Sequence, residues 1–197
     1  MLYKVKAFNE TSFSKVVSAN DPFGYDTRED HSSKRVKVAF ESTQKENHIP
    51  FYYNGWRSDG IGYISSDSVK RNKDAVNKYK LFIPKAWGVG NPAKDWLNPF
   101  IPDDNAVCTE TYLMVGPFDT LNEAQNCLKY TQTRFFHLMV SFIKSTQNTM
   151  QKAYEAVPMQ DFTEEWTDEK LYKKYGFSDE EIAYIEAAIK PGENESN

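Results

Sequence analysis

The side chains able to act as nucleophiles, bases or soft metal ligands are few: Cys108 and Cys127, with His31, His48 and His137. A thiol or hydroxyl nucleophile needs a base within hydrogen-bond reach, and zinc sites space their ligands in short pairs. Neither pattern occurs. Cys127 and His137 fall inside an apolar helical pattern, where a cysteine behaves as a small hydrophobe. No serine sits in a nucleophile elbow. A restriction-type nuclease centre wants Pro-Asp followed, after a spacer, by acid-x-Lys. Pro102-Asp103 supplies the first part, but Glu110 is followed by Thr111 and Tyr112, so the lysine is missing. Gly88-Val-Gly90 follows a strand pattern, but Pro84 intervenes and no helix starts there, so a cofactor loop is not supported. The sequence predicts no catalytic residue and no metal site.

The chemistry on offer is instead electrostatic. Residues 70–90 read KRNKDAVNKYKLFIPKAWGVG: a basic run, an apolar strand flanked by Lys80 and Lys85, and a loop built on Gly88 and Gly90. Residues 1–100 hold 16 basic against 11 acidic side chains (+5), and residues 101–197 hold 8 against 17 (−9). The total of −4 argues against a polyanion partner, whereas the asymmetry predicts one cationic face. The expectation is that the cations converge on a single concave flank.

Alternation in RVKVAFES predicts a half-buried strand from Arg35, and FYYNGW runs from strand into an Asn54-Gly55 hairpin turn. GIGYIS, YKLFIP and TETYLMVGPF complete the strands. A helix is predicted from Ser66 or Asp67 to Tyr79. Apolar positions from Leu121 to Ile143 recur at helical spacing, which predicts one main core helix of about seven turns capped at Asp119 or Thr120. A second helix is expected at roughly 147–156. The tail then predicts two short amphipathic helices, one stopped by Gly176 and one capped by Ser178 with Glu181, and a frayed end at 192–197.

These elements predict an α+β fold, with a mixed, largely antiparallel sheet over 35–115 packed against the long helix. Residues 1–157 form the main domain and 158–197 a small helical cap packed on it. The 197 residues suffice for this, and an aromatic content of 15% supplies a thick core. No run approaches a membrane span and the start lacks a signal-peptide pattern. Two cysteines in no metal-type spacing fit a reducing cytoplasm. No membrane partner is expected.

Several stretches carry a resemblance in their order and spacing. The most specific are Tyr79-Lys-Leu-Phe-Ile-Pro-Lys-Ala86, Thr109-Glu-Thr-Tyr112, and Pro158-Met-Gln-Asp-Phe162 followed by Trp166-Thr-Asp168. With SFSKVVSANDPFGY upstream, the chain resembles, over nearly its whole length, the carboxy-terminal target recognition region of type II restriction-modification methyltransferases acting on the adenine amino group. Those enzymes keep their Asn/Asp-Pro-Pro-Tyr/Phe motif and glycine-rich S-adenosylmethionine loop in a separate upstream domain. Asn98-Pro99-Phe100 lacks the second proline, so the resemblance is to the recognition half alone, a fragment or a standalone product. No cofactor is expected in this chain, and S-adenosylmethionine is implied only for the missing catalytic domain.

The resemblance implies double-stranded DNA as partner, with a methyltransferase catalytic domain in cis or in trans. Phosphate contacts would come from Lys70, Arg71, Lys73, Lys78, Lys80 and Lys85. Arg57, Asn91, Lys94 and Gln147 would reach base edges, and Trp87 would stack or cover the core. Two other readings stay open: a specificity or protein-interaction subunit docking through its acidic tail, and a nuclease with an unusual site.

Overall fold

The computed structural model describes residues 10–25, 39–86, 97–143 and 150–189. Its centre is an antiparallel ribbon of β3 (Tyr79–Pro84) and β5 (Tyr112–Phe118), in register from Leu81↔Val115 to Pro84↔Tyr112. Both strands are apolar without alternation, which suits a strand buried on both faces. Successive side chains then point to opposite sides. Leu81, Ile83, Leu113 and Val115 enter one core, while Phe82, Tyr112 and Met114 enter another. The ribbon is the wall between the two.

The first core is helical. α2 (Leu121–Thr131), α3 (Arg134–Ser141), α4 (Asp168–Tyr175) and α5 (Asp179–Ala188) share a core with Phe13, whose ring meets Phe136 edge-on at 5.1 Å. Phe13 is fully buried, so its truncation to alanine would cost about 3–5 kcal/mol. Leu171, Tyr172, Tyr175 and Ile185 of the tail join this same core. Gly176 takes the left-handed conformation that ends α4, and Ser178 and Glu181 form the capping box of α5, as the sequence predicts.

The second core is aromatic and lies under a three-stranded sheet of order β2-β1-β4, with β1 at His48–Tyr52, β2 at Gly62–Ser65 and β4 at Val107–Cys108. β1 and β2 pair antiparallel, and β1 pairs with β4 in parallel. The Asn54-Gly55 turn does open a hairpin, although a helical turn, α1 (Trp56–Asp59), lengthens the connection. Phe40 lies on the bare backbone of Gly62; a Cβ there would come within 2.5 Å of its ring. The architecture is α+β with small mixed sheets. No helix among the described residues is long and apolar enough to cross a membrane.

Three predicted helices are corrected. The seven-turn helix is broken between α2 and α3. Thr131 turns its hydroxyl onto the Leu128 carbonyl (2.6 Å), and Thr133, in extended conformation, accepts from the Phe136 amide (3.1 Å) as a new N-cap. Asp168 completes the cap from a distance, its two oxygens accepting from the Arg134 and Phe135 amides at 3.1 and 2.9 Å. Three orphan donors of α3 are thus satisfied, which favours a fresh helix start over continuation. The helix expected from Ser66 is instead two 3-10 turns, Ser66–Ser68 and Lys73–Ala75, separated by Asn72 in the left-handed region at φ 48°. The helix expected at 147–156 is a 3-10 turn at Gln151–Tyr154, and residue 147 lies outside the described residues, as do Arg35 to Val38 of the first predicted strand and the tail at 192–197.

Candidate nucleic-acid interface

The loop 20–24 collects cations from two directions. Asp21 takes a positive φ of 58°, uncommon for a residue with a side chain. Its carboxylate lies 3.5 Å from the Arg71 guanidinium, and the Asn72 amide donates to the Pro22 carbonyl at 2.7 Å. These contacts clamp the 70–73 segment over the loop. Lys70 packs its Cβ where a side chain on Gly24 would lie, within 2.8 Å. From the other side, the Lys85 ammonium donates to the Asn20 side-chain oxygen. Lys70, Arg71 and Lys85 therefore surround one short loop, and exposed Lys73 follows two residues after Arg71.

The remaining predicted cations are placed elsewhere. Lys80 is only 2% exposed, and its ammonium donates to the carbonyls of Ala75, Val76 and Lys78 at 3.1, 2.8 and 3.0 Å. Burial lowers its pKa to about 8. Lys80 braces the turn beneath the basic segment and cannot meet a phosphate there. Lys78 sits at the same end of β3 and pairs with Asp119 at 2.6 Å; this contact raises its pKa and lowers that of Asp119. The cations thus do not converge on one flank: Lys78 lies at the start of β3, Lys85 just past its end, and a strand of this length separates them by roughly 20 Å. Arg57 stacks on Trp56 at 5.4 Å from the ring centre. Trp87, Asn91, Lys94 and Gln147 lie outside the described residues.

A polar pocket opens where the ribbon ends. Its volume is about 340 Å³, in the range of small-molecule sites, and Asn20, Asn54, Lys85, Glu110, Thr111 and Tyr112 line it with Pro84, Ala86 and Met150. Each wall has a structural reason. The Glu110 amide donates to the Tyr25 carbonyl at 2.9 Å, fixing the approach to β5. The Thr109 and Thr111 hydroxyls bond each other at 2.7 Å. The Tyr112 hydroxyl accepts from the Trp56 indole at 2.8 Å, which connects the pocket to Arg57, and burial raises the phenol's pKa. Glu110 is 1% exposed.

Two of the sequence stretches singled out above, 79–86 and 109–112, thus meet at this pocket. Glu110 entered the sequence reading as a failed nuclease acid and as part of the 109–112 stretch, and Asn20 and Asn54 did not enter it as site residues. Lys85, across the ribbon, lines the same pocket as Glu110. Asp103 is not part of the wall; its amide donates to the Tyr52 hydroxyl at 3.2 Å. Cys108 and Cys127 are both fully buried, and burial pushes both thiols well above their ordinary pKa. No protein-family model, curated protein or solved structure matches the chain.

Proposed function

We propose that this chain is a DNA target recognition domain of a restriction-modification adenine methyltransferase, working in the cytoplasm. Its catalytic partner, in cis or in trans, would supply S-adenosylmethionine and the methyl transfer. The observation that supports the reading is the loop 20–24, with Lys70 and Arg71 against Gly24 and Asp21 on one side and Lys85, in the wall of the polar pocket, against Asn20 on the other. Phosphate contacts from Lys70, Arg71, Lys73 and Lys85 would set the register, and Arg57 with the pocket side chains would read base edges. Trp87, Asn91, Lys94 and Gln147 keep their proposed roles in base reading and stacking. The test is selection of bound duplexes from a random-sequence pool by the purified chain. Enrichment of one short motif is expected; a pool that stays random after repeated rounds refutes sequence reading.

A second reading, a protein-docking subunit, is favoured by α5. Tyr184 stands 66% exposed there, among the exposed acids Asp179, Glu180 and Glu186. The two readings use opposite ends of the chain and are separable by substitution. Tyr184→Ala would abolish capture of a methyltransferase or nuclease subunit and leave duplex selection intact.

A further inference from the structure

Residues 53–61 connect β1 to β2, where a two-residue turn would have closed the hairpin. The extra length is tied down at several points. The Tyr53 hydroxyl donates to the Gly60 carbonyl at 3.0 Å, closing the neck, and the Ser58 hydroxyl donates to the Gly55 carbonyl at 2.9 Å. Trp56 anchors the connection to the core. Its indole N–H donates to the Tyr112 hydroxyl at 2.8 Å, and its ring packs on Tyr52 and Phe100 at ring-centre distances of 4.9 and 5.3 Å. A connection that only joined two strands would need none of this, whereas a loop held in one conformation loses less entropy on binding. Asn54, Arg57, Ser58 and Asp59 are exposed at the tip, and a side chain on Gly60 would meet nothing within 4 Å.

We infer that this hairpin tip is the base-reading finger of the chain, with Arg57 contacting guanine in the major groove and Trp56 and Tyr112 as positioning residues. The inference rests on the DNA reading proposed above and adds which element reads, and which base. Guanine offers two acceptors, O6 and N7, on its major-groove edge, and a guanidinium donates to both at once. The Arg57 guanidinium lies 5.4 Å from the centre of the Trp56 ring. That cation–π contact restrains a long side chain through its charge rather than by consuming its five N–H donors. Arg57 and Asp59 leave the tip 54–60 without net charge, so it is not built for the phosphate backbone as the cations around loop 20–24 are. Asn54 lines the same pocket as Asn20 and Lys85, which sets the foot of the finger beside those cations. A phosphate grip at the loop would hold the finger in register against the adjoining base edges.

The test selects duplexes from a random-sequence pool with the full chain and with its Arg57→Ala, Tyr112→Phe and Trp56→Phe variants, each checked for folding by thermal melting. The parent's motif should contain a guanine that Arg57→Ala no longer selects. On the parent's best duplex that variant should lose about 10- to 100-fold in affinity, with the salt dependence of the parent. Tyr112→Phe and Trp56→Phe each remove one partner of the anchoring hydrogen bond and leave Arg57 in place. They should relax the preference for that guanine several-fold, again without altering the salt dependence. If Trp56→Phe fails to fold, Tyr112→Phe carries the test of positioning. A lowered melting temperature with the guanine preference intact makes the bond merely structural and overturns the positioning role. An Arg57→Ala motif identical to the parent's overturns the finger while the DNA reading stands. So does uniform weakening across all duplexes with a shallower salt slope, the mark of a phosphate contact. Enrichment of no motif by the parent overturns the DNA reading, and the finger with it.

Discussion

The Lys85 amide donates to the Thr111 carbonyl at 3.0 Å, carrying the β3–β5 ladder one residue past the ends of the strands. That bond brings a cation and the Glu110–Tyr112 corner onto one rim, although 24 residues intervene between Lys85 and Glu110. The pocket is therefore a property of strand register. A slip of one residue would turn Tyr112 toward the helical core and carry Glu110 away from Lys85.

Lys80 and Lys85 frame the same strand and have opposite fates, and this separates stability from binding. Lys80→Met leaves the carbonyls of Ala75, Val76 and Lys78 without their shared donor. It should lower stability by about 1–3 kcal/mol in urea titration. The salt sensitivity of duplex binding should stay that of the parent chain. A Lys80→Met variant as stable as the parent would remove the brace from the account.

The helix break at Thr133 should respond to its two caps separately. Thr133→Ala removes the side chain that accepts from the Phe136 amide and should cost about 1 kcal/mol. Asp168→Ala orphans the Arg134 and Phe135 amides and should cost more, roughly 1–3 kcal/mol. Asp168→Asn, whose oxygen still accepts from one amide, should fall between Asp168→Ala and the parent. Thermal melts of the three variants give the order directly. Equal melting of Asp168→Ala and the parent would contradict the capping role.

Alkaline pH should destabilise the fold, with a sign fixed by the buried thiols. Cys108 and Cys127 have folded pKa values raised by burial above an ordinary value of 9.0. Their contribution is complete below about pH 9 and is lost as pH rises beyond it. Tyr52, pushed up to about 12 by burial, adds to the loss above about pH 10. Lys80 opposes them: its lowered folded value means that stability is gained between about pH 8 and 10.5. Two thiols outweigh one ammonium, so the urea midpoint should fall from pH 9 to pH 10.5. Cys127→Ala should make that slope shallower by at most about 1.4 kcal/mol per pH unit. A midpoint that rises over this range would contradict the assignment.

Local signals carried much of the fold and little of the site. The strand at 79–84 and both tail helices were legible because pattern, capping box and Gly176 all lie within a few residues of what they specify. The seven-turn helix was not, because apolar periodicity runs unbroken through Thr133 while one of its caps comes from Asp168, 33 to 34 residues away. Similarly, Lys80 reads as a surface cation in sequence. Only the turn folding back over β3 reveals three carbonyls waiting for it. Glu110 and Lys85 line one pocket, yet no sequence spacing links residues joined through strand pairing.

The central claim is that the cations around loop 20–24 meet DNA phosphates. The most direct measurement is duplex affinity of the purified chain as salt rises from about 50 to 200 mM, where each neutralised phosphate contributes roughly −0.9 to the log–log slope. A steep slope is predicted for the parent, shallower by about 2 in Lys70→Ala with Lys85→Ala, and unchanged in Lys80→Met. Affinity indifferent to salt, or a Lys70→Ala, Lys85→Ala variant with the parent's slope, would contradict it.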